Sequence, residues 1–253
     1  RITHLVTISW DERNNLQREL YEMVSSYVAK TYNKALRNRK KNMCLIFLLI
    51  IMQRMVTSST AAIRQSLERR LNVLLEQRTC VGNLREEDLD ELNIEDGVED
   101  ALEAISLDME LEIEELKQII FLAKQAQFQN QDAKVEPLLN EIDAILSEDR
   151  TQKVIIFTEF VATQTYLQEL LVNRGYTVTI LNGGMSINER NAAMQEFKTS
   201  TSIFISTDAG GEGLNLQFAN IIINYDLPWN PMKIEQRCGR VDRIGQQRDV
   251  HIY

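Results

Sequence analysis

Histidine and paired cysteine are nearly absent from this chain of 253 residues. The two histidines, His4 and His251, stand at opposite ends, and the cysteines Cys44, Cys80 and Cys238 form no Cys-x-x-Cys pair. Structural zinc sites and disulfide frameworks both need closer sets, so neither is expected and no metal ligands are assigned. Unpaired cysteines fit a reducing compartment, and a cytoplasmic location is expected, nucleoid-associated if the source is prokaryotic. The most apolar run, Met43 to Met52, is flanked by Lys40, Lys41 and Arg54 and is too short for a bilayer. It predicts a buried helix, and no membrane is expected as a partner.

Several catalytic signatures are missing as well. No G-x-x-x-x-G-K-[ST] loop occurs, and no Asp-Glu metal-binding box follows a strand. Gly184-x-Ser186 lacks the second glycine of a nucleophile elbow, and Gly211-x-Gly213 lacks the third glycine of a dinucleotide fingerprint. Arg1 is not an initiator, and the chain stops inside an apparent strand start, Val250 to Tyr253. A fragment of a longer protein is expected.

Against these gaps stands a hydrophobic content of 44%, enough for a core. The net charge of −9 is unevenly spread: +9 over residues 1–85, −17 over 86–150 and −1 over 151–253. The acidity therefore says little about partners. The basic first third suits either a polyanion or the acidic stretch of its own chain.

Residues 1–150 read as a mainly helical region. Ile2 to Ile8 suggests a short strand, and Ser9-x-x-Glu12 a capping box opening a helix. That helix places Leu16, Leu20, Met23, Val24, Tyr27 and Val28 on one face. Helices follow over 43–56 and 61–77, the latter with Ile63, Leu67, Leu71 and Leu74 inward and Arg64, Arg69, Arg70 and Arg78 elsewhere on the surface. Residues 86–100 read as an acidic linker. A long amphipathic helix spans 102–123 and another 133–146, with Pro137 tolerated in its first turn.

From residue 151 to 253, short apolar strands alternate with helices. Strands are predicted at 154–157, 177–181, 202–206 and 221–225. Helices are predicted at 161–173, at 186–197 behind the capping box Ser186-x-x-Glu189, and at 232–241. Continuous apolar strands separated by helices imply an α/β fold with a parallel sheet covered on both faces. Ligands bind such sheets beyond the carboxyl ends of the strands. Chemistry is therefore sought at Thr158-Glu159, 182–185, 207–213 and 226–231.

Three arginines fall close together in the run Gln236-Arg237-Cys238-Gly239-Arg240-Val241-Asp242-Arg243-Ile244-Gly245-Gln246. On a helix, Gln236, Arg240 and Arg243 fall at i, i+4 and i+7, on one face. Two guanidiniums there suit a phosphate-rich anion such as a triphosphate, whose oxygens match the planar fork. Surface carboxylates such as Asp242 or Asp226 would also satisfy them.

This run resembles motif VI of the Swi/Snf-type ATPases, a branch of superfamily two helicases. Other segments resemble the same family in its order: KVIIFTEF at 153–160 (motif IV), Leu181-Asn182-Gly183 with Ser186 and Arg190, STDAGGEGLNL at 206–216 (motif V) and NYDLPWNP at 224–231. The resemblance implies a RecA-like second lobe over 151–253, P-loop NTPase-like but without the P-loop, behind an all-helical Swi/Snf subdomain over 1–150. It implies that Arg240 and Arg243 reach the γ-phosphate of ATP, Arg243 as arginine finger. Gln236, Gly213 and Asp208 would lie near the nucleotide, and Thr158, Gly183, Arg190, Thr207, Gly210 and Gly211 along the DNA backbone. Many relatives have Lys at the position of Asp208; an acid there suits a ribose hydroxyl or an orienting contact to Arg240.

The implied cofactor is ATP with Mg, bound mainly by a first RecA-like lobe absent from this sequence. None is expected in the isolated fragment, which should not hydrolyse ATP alone. The implied partners are double-stranded DNA and that first lobe, in a translocase that remodels protein–DNA complexes. Two rivals are a strand-separating helicase of the same superfamily, and a binding module whose helix at 102–123 docks a protein such as RNA polymerase.

Overall fold

The computed structural model describes residues 1–36, 43–77, 109–129, 132–208 and 214–253. The expected linker at 86–100, the start of the 102–123 helix, Arg78, Gly210, Gly211 and Gly213 lie outside the described residues. The chain divides into two compact units: Arg1–Ser9 with Lys134–Tyr253, and Trp10–Ala133. The sheet-bearing unit thus takes in Ile2–Thr3 and 135–148, both on the other side of the division expected at residue 150.

The helical unit opens with a 3-10 turn, Glu12–Asn14, and α1, Asn15–Leu36. The N-cap is Asp11, whose carboxylate accepts from the Arg13 amide, so the expected Ser9/Glu12 capping box does not form. A carboxylate two residues closer to the first turn reaches the free amide directly. Then come α2 (Met43–Ser58), α3 (Thr60–Gln77) and α4 (Met109–Phe128). Packing of α1 on α2, α2 on α3, α3 on α4 and α1 on α4 closes the set. The core holds Leu20, Val24, Leu49, Met52, Ile63, Leu67, Leu74 and Leu116. Among the described residues no helix is long and apolar enough to cross a membrane.

One sequence expectation fails here. Arg70 is not on the surface but buried, with its Nε 2.9 Å from Glu112 Oε1. Tyr27 donates to the same oxygen at 2.7 Å. The charge is tolerated inside because a carboxylate on α4 meets it. Asp132 caps α3, accepting from the Thr60 amide at 3.1 Å and the Thr60 hydroxyl at 2.8 Å.

In the α/β unit, α5 (Val135–Glu148) leads into β2 (Val154–Thr158), α6 (Val161–Asn173), β3 (Val178–Leu181), α7 (Ile187–Thr199), β4 (Ile203–Thr207), β5 (Ile221–Asn224), α8 (Pro231–Val241) and β6 (His251–Ile252). With β1 (Ile2–Thr3) they form a parallel sheet in the order β1-β6-β5-β2-β4-β3. Alternate residues of each strand face opposite ways. Ile156, Ile205 and Ile223 pack with Leu138, Ile142, Leu167 and Leu171 of α5 and α6. On the other face, Ile155, Phe157, Phe204 and Ile222 pack with Phe197 of α7 and Cys238 and Val241 of α8. Full burial of each such side chain contributes about 1.5–3 kcal/mol, which is why these short strands need no polar face.

Local signals place the helix ends. Ser186 and Glu189 form the reciprocal capping box at the start of α7. Gly175 ends α6 with φ +93°, a conformation that costs glycine little. Asn230 caps α8, with Pro231 at the first position, where no amide is required.

Candidate functional site

The central strand β2 has β4 on one side and β5 on the other, so the carboxyl ends of these three strands converge. Buried polar residues sit there, among them Thr158, Asp226 and Arg237. The Thr158 hydroxyl donates to Asp226 Oδ2 at 2.7 Å, and the Glu159 amide donates to the same oxygen at 3.1 Å. Lys134 Nζ stands 3.1 Å from Asp226 Oδ1 and donates to the Tyr225 carbonyl at 2.9 Å. Asp226 therefore ties the loop after β2 to the loop after β5.

Arg237, only 1% exposed, links the carboxyl ends of β4 and β5. Its Nε donates to Asp208 Oδ1 at 2.8 Å, and its Nη1 to Asn224 Oδ1 at 2.9 Å and to the Asp226 carbonyl at 3.0 Å. Lys233 Nζ lies 3.4 Å from Asp208 Oδ2. The Arg237 guanidinium stands 5.1 Å from the centroid of the Phe157 ring, and that of Arg240 stands 5.9 Å from it.

The expected single face carrying Gln236, Arg240 and Arg243 is corrected by the end of α8. The helix stops at Val241, and Asp242 leaves helical geometry with φ −86° and ψ 85°. Arg243 therefore lies beyond the helix rather than seven residues along its face. It folds back, and its Nε donates to the Gly239 carbonyl at 2.8 Å. Gly245, at φ +103°, completes the turn, and Gln246 Nε2 donates to the carbonyls of Ala219 at 2.8 Å and Gln217 at 3.0 Å. Exposure separates the three residues: Gln236 and Arg243 are exposed, and Arg240 is buried. Of the carboxylates weighed for these arginines, Asp242 meets Arg1 at 2.5 Å and Asp226 meets Lys134.

The remaining expected residues are spread along the strand ends. Thr207 is buried at the end of β4. Arg190 folds onto its own loop, its Nε donating to the Met185 carbonyl at 3.0 Å and its Nη2 to the Gly183 carbonyl at 2.8 Å. Beneath that loop, buried Gln164 donates to the carbonyls of Leu181 at 2.9 Å and Ile205 at 2.8 Å, and accepts from Asn182. Sequence reasoning did not single out Arg237, Lys134 or Gln164. The one available signal for Arg237 was its position beside Cys238 and four residues before Val241, on the inward face of α8.

A parallel sheet whose carboxyl ends gather arginines from one following helix is the arrangement of a RecA-like helicase lobe. Residues 133–245 match the helicase conserved C-terminal domain. Over 124 residues the chain is 48% identical to the ATP-dependent helicase YqhH of Bacillus subtilis (strain 168), covering 49% of this chain and 22% of that protein. Over 126 residues it is 38% identical to the RNA polymerase-associated protein RapA of Vibrio cholerae serotype O1 (strain M66-2), covering 48% of this chain and 13% of that protein. The chain thus spans under a quarter of the length of these relatives. Its fold is similar to the C-terminal part of the Fun30 ATPase domain, with TM-score 0.59, 20% identity, and 100% and 83% of the two chains covered. The Pyrococcus furiosus Hef helicase domain is similar in fold too, with TM-score 0.55, 18% identity, and coverage of 99% and 54%. The α/β unit is thus similar, in fold and over residues 133–245 in sequence, to the C-terminal lobe of ATP-dependent helicases.

Proposed function

We propose that this chain is the second lobe and helical subdomain of an ATP-driven double-stranded-DNA translocase that remodels protein–DNA complexes. The observation that carries the reading is Arg243. Its guanidinium is exposed, fixed through Nε on Gly239, and free at both terminal nitrogens among the described residues. A cation held by one arm and open at the other suits an anion brought by a second lobe.

The residues fit ATP with Mg as a shared ligand, held mainly by a first RecA-like lobe. Bound there, the nucleotide supplies the phosphoryl group whose transfer to water drives movement. Arg243 would neutralise charge at the γ-phosphate as arginine finger, and Arg240 would support it from the end of α8. Gln236 and Gly213 would line the nucleotide side. Phosphoryl transfer depends mostly on positioning and charge, so a finger supplied by lobe closure is worth about 10³–10⁵ in rate. Gly183, Arg190, Gly210 and Gly211 would face the DNA backbone, contacts that position a protein without reading sequence, while Thr158 and Thr207, expected there too, are buried and would support that track from the strand ends. Asp208 sits on Arg237 and Lys233, and its proposed role is structural support of the arginine helix rather than contact with a ribose.

Triplex displacement by the full-length protein tests the reading. ATP-dependent displacement of a third strand, with the duplex left paired, is expected. Strand separation would favour the helicase alternative, and failure of both with intact DNA binding would favour a binding module. The isolated chain is expected to hydrolyse no ATP.

A further inference from the structure

One polar side chain interrupts the apolar stripe of α6. Gln164, Leu167 and Leu171 fall at i, i+3 and i+7 on the inward face, and all three are fully buried. A third leucine would pack there with no hydrogen bond to satisfy. A glutamine must find partners for its amide inside the protein. Its nitrogen donates to the Leu181 carbonyl at 2.9 Å and the Ile205 carbonyl at 2.8 Å, and its oxygen accepts from Asn182 Nδ2 at 3.0 Å. Carbonyls only accept, so the amide has one orientation, with its oxygen directed at Asn182. Gln164 thereby joins β3, β4 and the first residue of the loop after β3.

The same loop is held from its far side by Arg190. Nε donates to the Met185 carbonyl at 3.0 Å and Nη2 to the Gly183 carbonyl at 2.8 Å, while Nη1 has no partner among the described residues. The guanidinium is planar and rigid, so the two carbonyls set the direction in which Nη1 points. We infer that Gln164 is a positioning residue for Arg190: by fixing Asn182 it sets loop 182–185, and so the direction in which Arg190 offers Nη1 to a DNA phosphate. The inference rests on the motor reading above, which puts Arg190 on the DNA backbone. Gln164 itself is 0% exposed and touches no DNA.

The test is duplex-DNA affinity of the full-length protein, measured by fluorescence anisotropy over a salt series. The parent is compared with Gln164→Met, Arg190→Gln and the double variant. Methionine keeps the volume and the helix packing but forms none of the three hydrogen bonds. Arg190→Gln is expected to weaken binding about tenfold, as the loss of one charge-assisted contact does. It should also lower the slope of log K against log salt concentration by about 0.9, the signature of one phosphate contact. Gln164→Met is expected to reproduce both changes, and the double variant to bind no more weakly than Arg190→Gln alone. A purely structural role for Gln164 would leave the salt slope at the parental value. A parental slope in Gln164→Met, or additive losses in the double variant, would overturn the inference. If Gln164→Met does not fold, Asn182→Ala decides, because it cuts the same link from the loop side. Its slope should fall by the same amount, and a parental slope would refute the positioning role. Failure of the motor reading looks different: Arg190→Gln itself would leave affinity and slope unchanged, and the role of Gln164 would fall with that reading.

Discussion

Glu112→Leu is expected to be among the most damaging single substitutions in the helical unit, and the structure supplies the reason. Glu112 Oε1 accepts from Arg70 Nε at 2.9 Å and from the Tyr27 hydroxyl at 2.7 Å. The Arg70 and Glu112 side chains are 1% and 9% exposed. Among the described residues the Arg70 terminal nitrogens have no hydrogen-bond partner, so Glu112 supplies its main compensation. Burial opposes the charge on Arg70, yet its pKa is held above the ordinary value by the Glu112 carboxylate. Burial and the same carboxylate push the Tyr27 phenol well above its usual range. Removing one partner of a buried pair strands the other and costs about 3–5 kcal/mol. At about 4 °C per kcal/mol for a unit of this size, the melting temperature should fall by roughly 12–20 °C. Replacing both partners with apolar residues of similar volume is often near neutral, so Glu112→Leu with Arg70→Met should recover most of the loss. Urea unfolding followed by circular dichroism measures both variants. A single variant within about 0.5 kcal/mol of the parent, the usual range of surface changes, would refute the reasoning.

Other consequences follow from the α/β unit. Thr158→Val removes the hydroxyl bound to the buried Asp226 carboxylate and should cost about 1.5–3 kcal/mol, seen as a lower urea midpoint; an unchanged midpoint would show that the bond contributes nothing. Gly245→Ala forces a side chain into φ +103° and should destabilise the lobe by about 1 kcal/mol. The cluster of Asp143, Arg174 and Tyr176 predicts a pH window. Asp143 is held below its ordinary 3.8 by the Arg174 guanidinium and the Tyr176 hydroxyl, so its contribution is present above 3.8 and is lost as pH falls through the lower folded value. Tyr176 is pushed up from 10.0 to about 12 by burial and the Asp143 carboxylate, so its contribution is complete below 10.0 and is lost as pH rises towards 12. Both effects should be small at this partly exposed site, and Tyr176→Phe should remove the alkaline loss from a stability–pH curve.

The α/β unit was legible because its signals are local. Unbroken runs such as Val154 to Phe157, a glycine at 175 and the Ser186/Glu189 box each act within a few residues. The strand pair β1–β6 was not legible, since Ile2 finds His251 across almost the whole chain. Arg70 was assigned to the surface because charge usually is, and its partner lies 42 residues away on another helix. In the site, the motif pointed to Arg240 and Arg243 but misplaced Arg243, because helical spacing was carried past the point where Asp242 and Gly245 turn the chain. Arg237 escaped notice for a related reason. Its burial depends on Asp208, Asn224 and Asp226, which arrive from two different strands, and no spacing within α8 reveals them.

The central claim is that this lobe completes an ATP site with an arginine. The most direct measurement is the DNA-stimulated ATPase rate of the full-length protein carrying Arg243→Ala, with DNA affinity measured alongside. The account predicts a fall of at least about 10³-fold with DNA binding retained. A rate close to that of the parent would contradict it.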